Sequence, residues 1–200
     1  MNGDQEQAQE AYNHLQTDPK IGGLVDEHGP LHLDPSDDLF QRLVRSIISQ
    51  QVSVASAEAI RQRLFDTVEI TPKGIRGTDQ QVLMEAGLSE MKAEYVREVA
   101  KTFDDEGYSK ELFATYSNKE IVDTLTEIKG VGPWTAEMQL LFTFGRPDVF
   151  PVGDLGIRRG IEHLFDEELT RAEMRDLAEP WAPYRSYASL YLWRIVDGGE

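Results

Sequence analysis

Asp154 is the residue whose chemical type and setting best suit catalysis. It lies in an apolar stretch, with Val152 before it and Leu155 and Ile157 after it. A carboxylate at a helix start is most often an N-cap, which accepts hydrogen bonds from backbone N–H groups. An ionised carboxylate can also stabilise a developing positive charge or deprotonate water. We therefore treat Asp154 as a residue that could be both helix cap and catalyst.

A glycine-rich turn, Lys129-Gly130-Val131-Gly132, precedes this aspartate. Residues 120–128 before it carry apolar side chains at helical spacing. Pro133 suits the first position of a second helix, because its missing N–H would be unpaired there. The pattern predicts a helix, a glycine hairpin and a helix. Amides beside a helix N-terminus bind phosphate, and Lys129 adds a positive charge. The alternative is a simple connector between two core helices, which is the commoner meaning of two glycines alone.

Three blocks of the sequence, in order, resemble the helix-hairpin-helix DNA glycosylases. The hairpin block reads Leu-x-x-Ile-Lys-Gly-Val-Gly-Pro-Trp-Thr-Ala and is followed by Val-Phe-Pro-Val-Gly-Asp. The other two are FQRLVRSIISQQVSVA at residues 40–55 and WAPYRSYASLYLW at residues 181–193. The branch that they most resemble is the 3-methyladenine DNA glycosylase II family, which removes alkylated bases. The resemblance extends over roughly residues 34–196, which is most of the chain.

The resemblance implies a role for each matching residue. The implied catalytic carboxylate is Asp154. The implied base pocket consists of Trp134, Met138, Leu155 and Trp193. The implied contacts with the DNA backbone are Lys129, Gly130, Val131, Gly132, Trp134 and Thr135. In the loop that follows Ser49, the resemblance implies that Gln51, with Val52 beside it, enters the space left by a flipped base; a solvated turn is the alternative.

The implied reaction is hydrolysis of an N-glycosidic bond in double-stranded DNA that carries a damaged base. Strand-cutting members of the superfamily carry a lysine where Trp134 stands, so the resemblance implies an enzyme without lyase activity. No cofactor is required. The resemblance also implies that a sodium or potassium ion binds the backbone carbonyls of Thr126, Ile128 and Gly130. Since the sequence contains no cysteine, it excludes the iron–sulfur cluster of endonuclease III-type relatives.

Composition adds a conflict with DNA binding. The net charge is −16, whereas nucleic-acid-binding proteins usually carry a basic surface. The acidic residues are spread along the chain and lysine is scarce, a pattern typical of a high-salt cytoplasm. We predict a prokaryotic protein from an archaeal halophile, with an ordinary acidic protein as the alternative. In concentrated salt counterion release contributes little, so oriented backbone amides would have to hold the phosphates.

The sequence predicts an all-α fold, because it lacks alternating apolar runs long enough for a sheet. The resemblance implies two helical lobes with the active-site cleft between them: residues 1–35 with 148–200, and residues 36–147. Tyr187 and Tyr191 are expected in the core. There is no apolar run near the ~20 residues of a membrane span and no visible signal peptide, so we expect a cytoplasmic monomer. Two other functions remain open: a non-catalytic helix-hairpin-helix module, and a glycosylase for oxidised or mismatched bases.

Overall fold

A computed structural model of the chain describes residues 3–197, with the side chains of residues 5–196. In this range it contains α-helices, one short 3-10 turn and no β-strand, which confirms the all-α class. No helix in the range combines the length and the apolar character of a membrane span. The α-helices are α1 (Gly3–Leu15), α2 (Gly22–His28), α3 (Leu39–Ser49), α4 (Val54–Thr67), α5 (Pro72–Gly77), α6 (Gln80–Glu85), α7 (Glu90–Glu106), α8 (Lys110–Phe113), α9 (Asn118–Thr126), α10 (Pro133–Phe142), α11 (Leu155–Phe165), α12 (Arg171–Leu177) and α13 (Arg185–Asp197).

These helices form two compact units. The terminal unit consists of the segments up to Pro35 and from Gly145 onward, and the central unit is Ser36–Phe144. The sequence places the second boundary at residue 148, whereas it falls at Gly145. The predicted outer bounds at residues 1 and 200 lie outside the described residues.

Ser186 of α13 is the physical reason for the earlier boundary. Its backbone N–H donates to the Pro147 carbonyl at 2.9 Å, and its hydroxyl donates to the Arg146 carbonyl at 2.6 Å. These two hydrogen bonds tie the segment that follows α10 to α13. The segment after Gly145 therefore belongs with α13.

In the central unit, α3 packs against α4, α7 and α10. It begins at Asp38, whose carboxylate accepts from the Gln41 N–H at 2.8 Å. One side of the helix is apolar and buried, and each such side chain contributes roughly 1.5–3 kcal/mol when fully removed from water. These side chains are Leu39, Phe40, Leu43, Val44, Ile47 and Ile48.

A lysine of α7 fixes the C-terminal end of α3. Lys92 is buried, and its Nζ donates to the Ile48 carbonyl at 2.7 Å. The last carbonyls of a helix lack intrahelical donors and carry the negative end of the dipole, so an ammonium group stabilises them. Burial lowers the pKa of Lys92. Lys92 therefore sets the point at which the chain leaves α3 for the loop that contains Gln51.

In the terminal unit, α11 and α13 pack closely because α11 carries two glycines four positions apart. A Cβ at Gly160 would lie 2.6 Å from the Leu192 carbonyl oxygen, and a Cβ at Gly156 would lie 2.7 Å from Cδ1 of Trp193. Both distances are too short for a real contact. The absence of side chains at these two positions is thus what lets the helices approach.

The aromatic residues of α13 support this packing from its other side. Tyr187 and Tyr191 are each 1% exposed, which confirms that they are core residues. The Tyr191 hydroxyl donates to the Gly29 carbonyl at 2.8 Å. Burial raises the pKa of Tyr191 to about 12, so this donor stays protonated at neutral pH.

Candidate active site and nucleic-acid interface

The glycine turn joins α9 to α10 as a tight hairpin. Ile128 and Val131 are buried, and the Val131 N–H donates to the Ile128 carbonyl at 3.0 Å. Gly130 has φ = +94°, a conformation that residues with a Cβ seldom adopt. A Cβ there would also lie 2.5 Å from the Cβ of Tyr95. Backbone conformation and packing therefore each require glycine at position 130.

Neither backbone conformation nor packing requires glycine at position 132. Its backbone is extended, with φ −90° and ψ 172°, which suits any residue before a proline. A Cβ there would meet no atom within 4 Å. The N–H groups of Gly132 and Thr135 donate to no other residue in the described range. They stand at the N-terminus of α10, where the dipole is positive, so a phosphate can approach them directly.

The other residues predicted to contact DNA differ in how exposed their side chains are. Lys129 forms an ion pair with Glu94 at 2.6 Å, with side chains 61% and 53% exposed. Such an exposed surface pair contributes little to stability, so a phosphate can compete for the lysine. The side chains of Val131 and Thr135 are buried and leave only backbone groups to contribute. Trp134 is partly exposed at the second position of α10.

The loop predicted to intercalate contains a strained residue. Gln51 is exposed and has φ = +55°, and Val52 beside it is 39% exposed. A non-glycine residue at positive φ costs roughly 1–3 kcal/mol and is often found where a side chain must be presented in a fixed direction. The prediction of an inserted Gln51 fits this geometry, although a tight turn alone also produces it.

Gln50 is a residue that the sequence analysis missed. Its side-chain amide donates to the Gly130 carbonyl at 3.1 Å and lies 3.4 Å from Oγ1 of Thr135. Gln50 therefore joins the loop that contains Gln51 to the hairpin. Its partner Gly130 is 80 positions away in the chain, so no local pattern could have revealed the contact.

Asp154 is the N-cap of α11, as predicted. Its Oδ1 accepts from the Ile157 N–H at 3.0 Å. The same oxygen accepts from the indole Nε1–H of Trp193 at 2.9 Å. The structure thus brings together two of the residues to which the sequence assigns chemistry. Two donors and a helix N-terminus hold this carboxylate in one orientation.

Gly156 makes the contact between Asp154 and Trp193 possible. A Cβ at this position would lie 3.0 Å from the indole nitrogen and 3.1 Å from the Asp154 Oδ1. Trp193 can reach the carboxylate only because the position has no side chain. The sequence does contain a signal for this arrangement, since Gly156 and Gly160 are spaced so as to share one helix face.

The predicted base pocket draws two residues from each unit. Trp193 and Leu155 lie in the terminal unit, where Leu155 is 51% exposed. Trp134 and Met138 lie on α10 of the central unit, where Met138 is 8% exposed. That these four side chains bind a base together stays a prediction.

The donor set predicted for a monovalent cation is compatible with the hairpin. The Ile128 carbonyl accepts from Val131, and the Gly130 carbonyl accepts from Gln50. A carbonyl oxygen has two lone pairs, so each can also coordinate an ion; the Thr126 carbonyl is the third predicted ligand. The described residues contain no group of three or more His, Asp or Glu side chains arranged to hold a metal.

The hairpin, the strained loop and the capped aspartate lie in one continuous stretch of the chain. The family model for the HhH-GPD superfamily of base excision DNA repair proteins matches residues 44–183. The chain belongs to this superfamily. The HhH-GPD match begins within α3 and includes the Gln51 loop, the hairpin and Asp154, while Trp193 lies beyond it. The predicted resemblance is confirmed.

Individual HhH-GPD proteins are similar over most of the chain. The DNA-3-methyladenine glycosylase 1 of Schizosaccharomyces pombe is 34% identical, across 86% of this chain and 78% of its own length. The alkylbase DNA glycosidase-like protein mag2 of the same yeast is 33% identical, across 92% of each chain. A solved structure of S. pombe 3-methyladenine DNA glycosylase (Mag1) in complex with abasic DNA superposes with a TM-score of 0.86 at 31% identity, covering 94% of this chain and 97% of that one.

Proposed function

We propose that this HhH-GPD protein is a monofunctional DNA glycosylase that removes alkylated bases of the 3-methyladenine type in base excision repair. Similar proteins that share nearly its full length are named as 3-methyladenine glycosylases, and one of them was solved on abasic DNA. The observation that carries the catalytic assignment is the Asp154 carboxylate held by α11 and Trp193. The partner is double-stranded DNA with a damaged base.

The substrate base must first leave the helical stack. An enzyme cannot reach a glycosidic bond inside a duplex, so the nucleotide is flipped out at a cost of a few kcal/mol, which is smallest for damaged bases. Gln51 and Val52 fill the vacated space. The amides of Gly132 and Thr135 hold a backbone phosphate, which fixes the register without reading sequence. Gln50 keeps the loop and the hairpin in one geometry through its bond to Gly130.

Asp154 then stabilises the sugar. Departure of the base leaves an oxocarbenium-like sugar cation, as in other glycoside hydrolyses. A carboxylate held in place before the reaction stabilises that cation without having to reorganise, and it can orient or deprotonate the attacking water. An alkylated base is already cationic and leaves easily, so the reaction needs no second acid.

Selectivity follows from the aromatic residues assigned to the base pocket. The faces of Trp134 and Trp193 attract a positively charged, alkylated base through cation–π interaction. Neutral bases gain less from the same stacking. Met138 and Leu155 would complete the apolar lining, and a polarisable thioether packs well against a ring.

Release of free base from methylated DNA tests the assignment. The chain should liberate 3-methyladenine, identified by chromatography, and leave undamaged DNA intact. A module that only grips DNA would bind the same substrate and release nothing. A glycosylase for oxidised bases would act on oxidised DNA instead. Either of these results would overturn the proposal.

Strand cleavage should be absent. Trp134 has no basic amine with which to attack the sugar, so no Schiff base can form there. Lys129 precedes the turn and pairs with Glu94. We expect that borohydride added during turnover traps no covalent protein–DNA adduct, and that nicks appear only after alkali. An adduct that disappears in Lys129→Ala would show a bifunctional lyase instead.

We also propose that the acidic excess adapts the protein to high salt; the named relatives include yeast proteins, so the support comes from the charge pattern alone. At 1 M salt the screening length falls to about 3 Å, which suppresses repulsion among the charges behind the net −16. The thermal midpoint should rise from dilute buffer to molar potassium chloride, and base release should be retained. A midpoint that falls steadily with salt contradicts the adaptation.

A further inference from the structure

Two arginines lie beside the Gln51 loop, on α3 and α4. Arg45 and Arg61 both stack on Phe65, with guanidinium carbons 5.2 Å and 5.6 Å from the ring centroid. Arg61 also pairs with Glu58. Arg45 differs, because its Nε is buried and has no hydrogen-bond partner among the described residues. An unsatisfied buried donor is unfavourable, and the Arg45 side chain also lines an open cavity, where an anion can compensate its charge.

These arginines line a cavity of about 210 Å³ within the central unit. Its other walls are largely apolar, and two of them are exposed valines: Val52 is 39% exposed and Val54 is 87% exposed. A nucleotide backbone has a matching character, since its sugar is largely apolar and its phosphate is anionic. The lining residues are Arg45, Ile48, Ser49, Val52, Val54, Ala57, Glu58 and Arg61.

The residues that flank Gln51 contact both the hairpin and this cavity. Gln50, on one side of Gln51, bonds to the hairpin carbonyl of Gly130. Val52, on the other side, lines the arginine cavity. When Gln51 enters a duplex, the strands lie on either side of it. If the hairpin holds the strand with the flipped nucleotide, the arginine cavity faces the other strand.

Charge also favours a nucleic-acid backbone over another ligand. The chain carries a net charge of −16, yet Arg42, Arg45 and Arg61 lie near one another on two adjacent helices. Burial, and then the charge of Arg45, lower the pKa of Arg42. Glu58 and Asp66 offset part of this positive charge, and the remaining repulsion between neighbouring guanidinium groups favours a further anion. A DNA backbone offers such an anion in register with the loop.

We propose that Arg45 and Arg61 bind the phosphate backbone of the undamaged strand, opposite the flipped nucleotide. The proposal rests on the proposed DNA glycosylase function and adds a second strand contact to it. The guanidinium groups of Arg45 and Arg61 bind the same phosphate, and Arg61 exchanges part of its pairing with Glu58 for it. The valines of the cavity pack against the adjoining sugar.

Neutral methylphosphonate linkages can identify the strand. The full chain is titrated, by fluorescence anisotropy, onto duplexes with a central abasic site and with neutral linkages in either the damaged or the undamaged strand. The variant is Arg45→Gln with Arg61→Gln, which keeps a polar amide at each position but removes both charges and their stacking on Phe65. Arg45→Lys with Arg61→Lys restores the charges. Lys119→Gln is the matched control, since it removes an exposed charge on α9 that is 83% exposed and paired only at the surface.

Neutralising the undamaged strand should weaken binding by the wild type several-fold and have no further effect on the glutamine variant, because interacting groups are not additive. Neutralising the damaged strand should weaken both proteins equally. On unmodified duplex the slope of log affinity against log salt should fall by about 1 in the variant, because the two arginines share one phosphate. The lysine variant should keep most of the slope, and Lys119→Gln should behave as wild type.

Three results would overturn the proposal. The first is that neutralising the undamaged strand weakens binding by the glutamine variant as much as by the wild type. The others are that neutralising the damaged strand affects the glutamine variant less than the wild type, or that Lys119→Gln loses as much affinity as the glutamine variant. Thermal midpoints of all variants show whether a loss reflects unfolding, and a glutamine variant that fails to fold is replaced by Arg61→Gln alone. A failure of the proposed glycosylase function would be seen separately. In that case the wild type releases no base from methylated DNA, whatever the binding data show.

Discussion

Asp154→Asn should slow base release by orders of magnitude while the protein stays folded and still binds DNA. Asparagine caps a helix about as well as aspartate, and its oxygen can accept from the Ile157 N–H and from the indole N–H of Trp193. The shape of the site is therefore kept and the negative charge is lost. Removing one fixed electrostatic stabiliser of a transition state costs about a hundred- to a thousandfold in rate. The measurement is single-turnover release of 3-methyladenine from methylated duplex.

Asp148→Asn is the matched control for this variant. Asp148 lies in the same unit and is held by a two-pronged ion pair with Arg185, at 2.6 Å and 2.7 Å. The pairing with Arg185 holds the pKa of Asp148 below its ordinary value. Its replacement should lower the thermal midpoint and leave the rate of release unchanged wherever the protein is folded. If Asp154→Asn releases base at the wild-type rate, the catalytic role assigned to Asp154 is wrong.

Much of this fold can be predicted from sequence because it depends on local chemistry. Helix starts follow from capping side chains: Asp38, Ser53, Ser89 and Asp154 each accept a hydrogen bond from a backbone N–H of the first turn. The buried stripe of α3 follows from the spacing of its apolar residues. The hairpin follows from glycines followed by a proline. In each case the residues that cause the structure lie within the helix or turn that they form.

What could not be predicted depends on contacts between distant segments. Gln50 meets the Gly130 carbonyl, Lys92 meets the Ile48 carbonyl, and neither pairing has a signature within its own helix. Of the two reasons for glycine at position 130, only the first depends on the local sequence. Its positive φ is typical of such turns, but the close approach of Tyr95 depends on how α7 packs against the hairpin.

The two hairpin glycines should respond to substitution in opposite ways. Gly130→Ala places a Cβ at a left-handed φ and against Tyr95. The conformational cost is about 1–2 kcal/mol, and overpacking adds about 1–3 kcal/mol, a large share of a typical stability of about 5–15 kcal/mol. Gly132→Ala meets no atom within 4 Å and has a compatible backbone, so it should keep or slightly raise stability. Denaturant midpoints at unchanged slope measure both effects.

Because Gly132 tolerates a side chain, a substitution there can weaken the phosphate contact without destabilising the fold. Gly132→Val keeps the extended backbone that Pro133 favours, but its branched side chain stands where a phosphate must approach the N–H groups at the start of α10. The dissociation constant for duplexes with an abasic site should rise about tenfold or more, which corresponds to about 1.4 kcal/mol. The rise should be the same for two unrelated sequences, because phosphate contacts carry no sequence information. A stable Gly132→Val protein that binds like the wild type would show that the hairpin only connects α9 to α10.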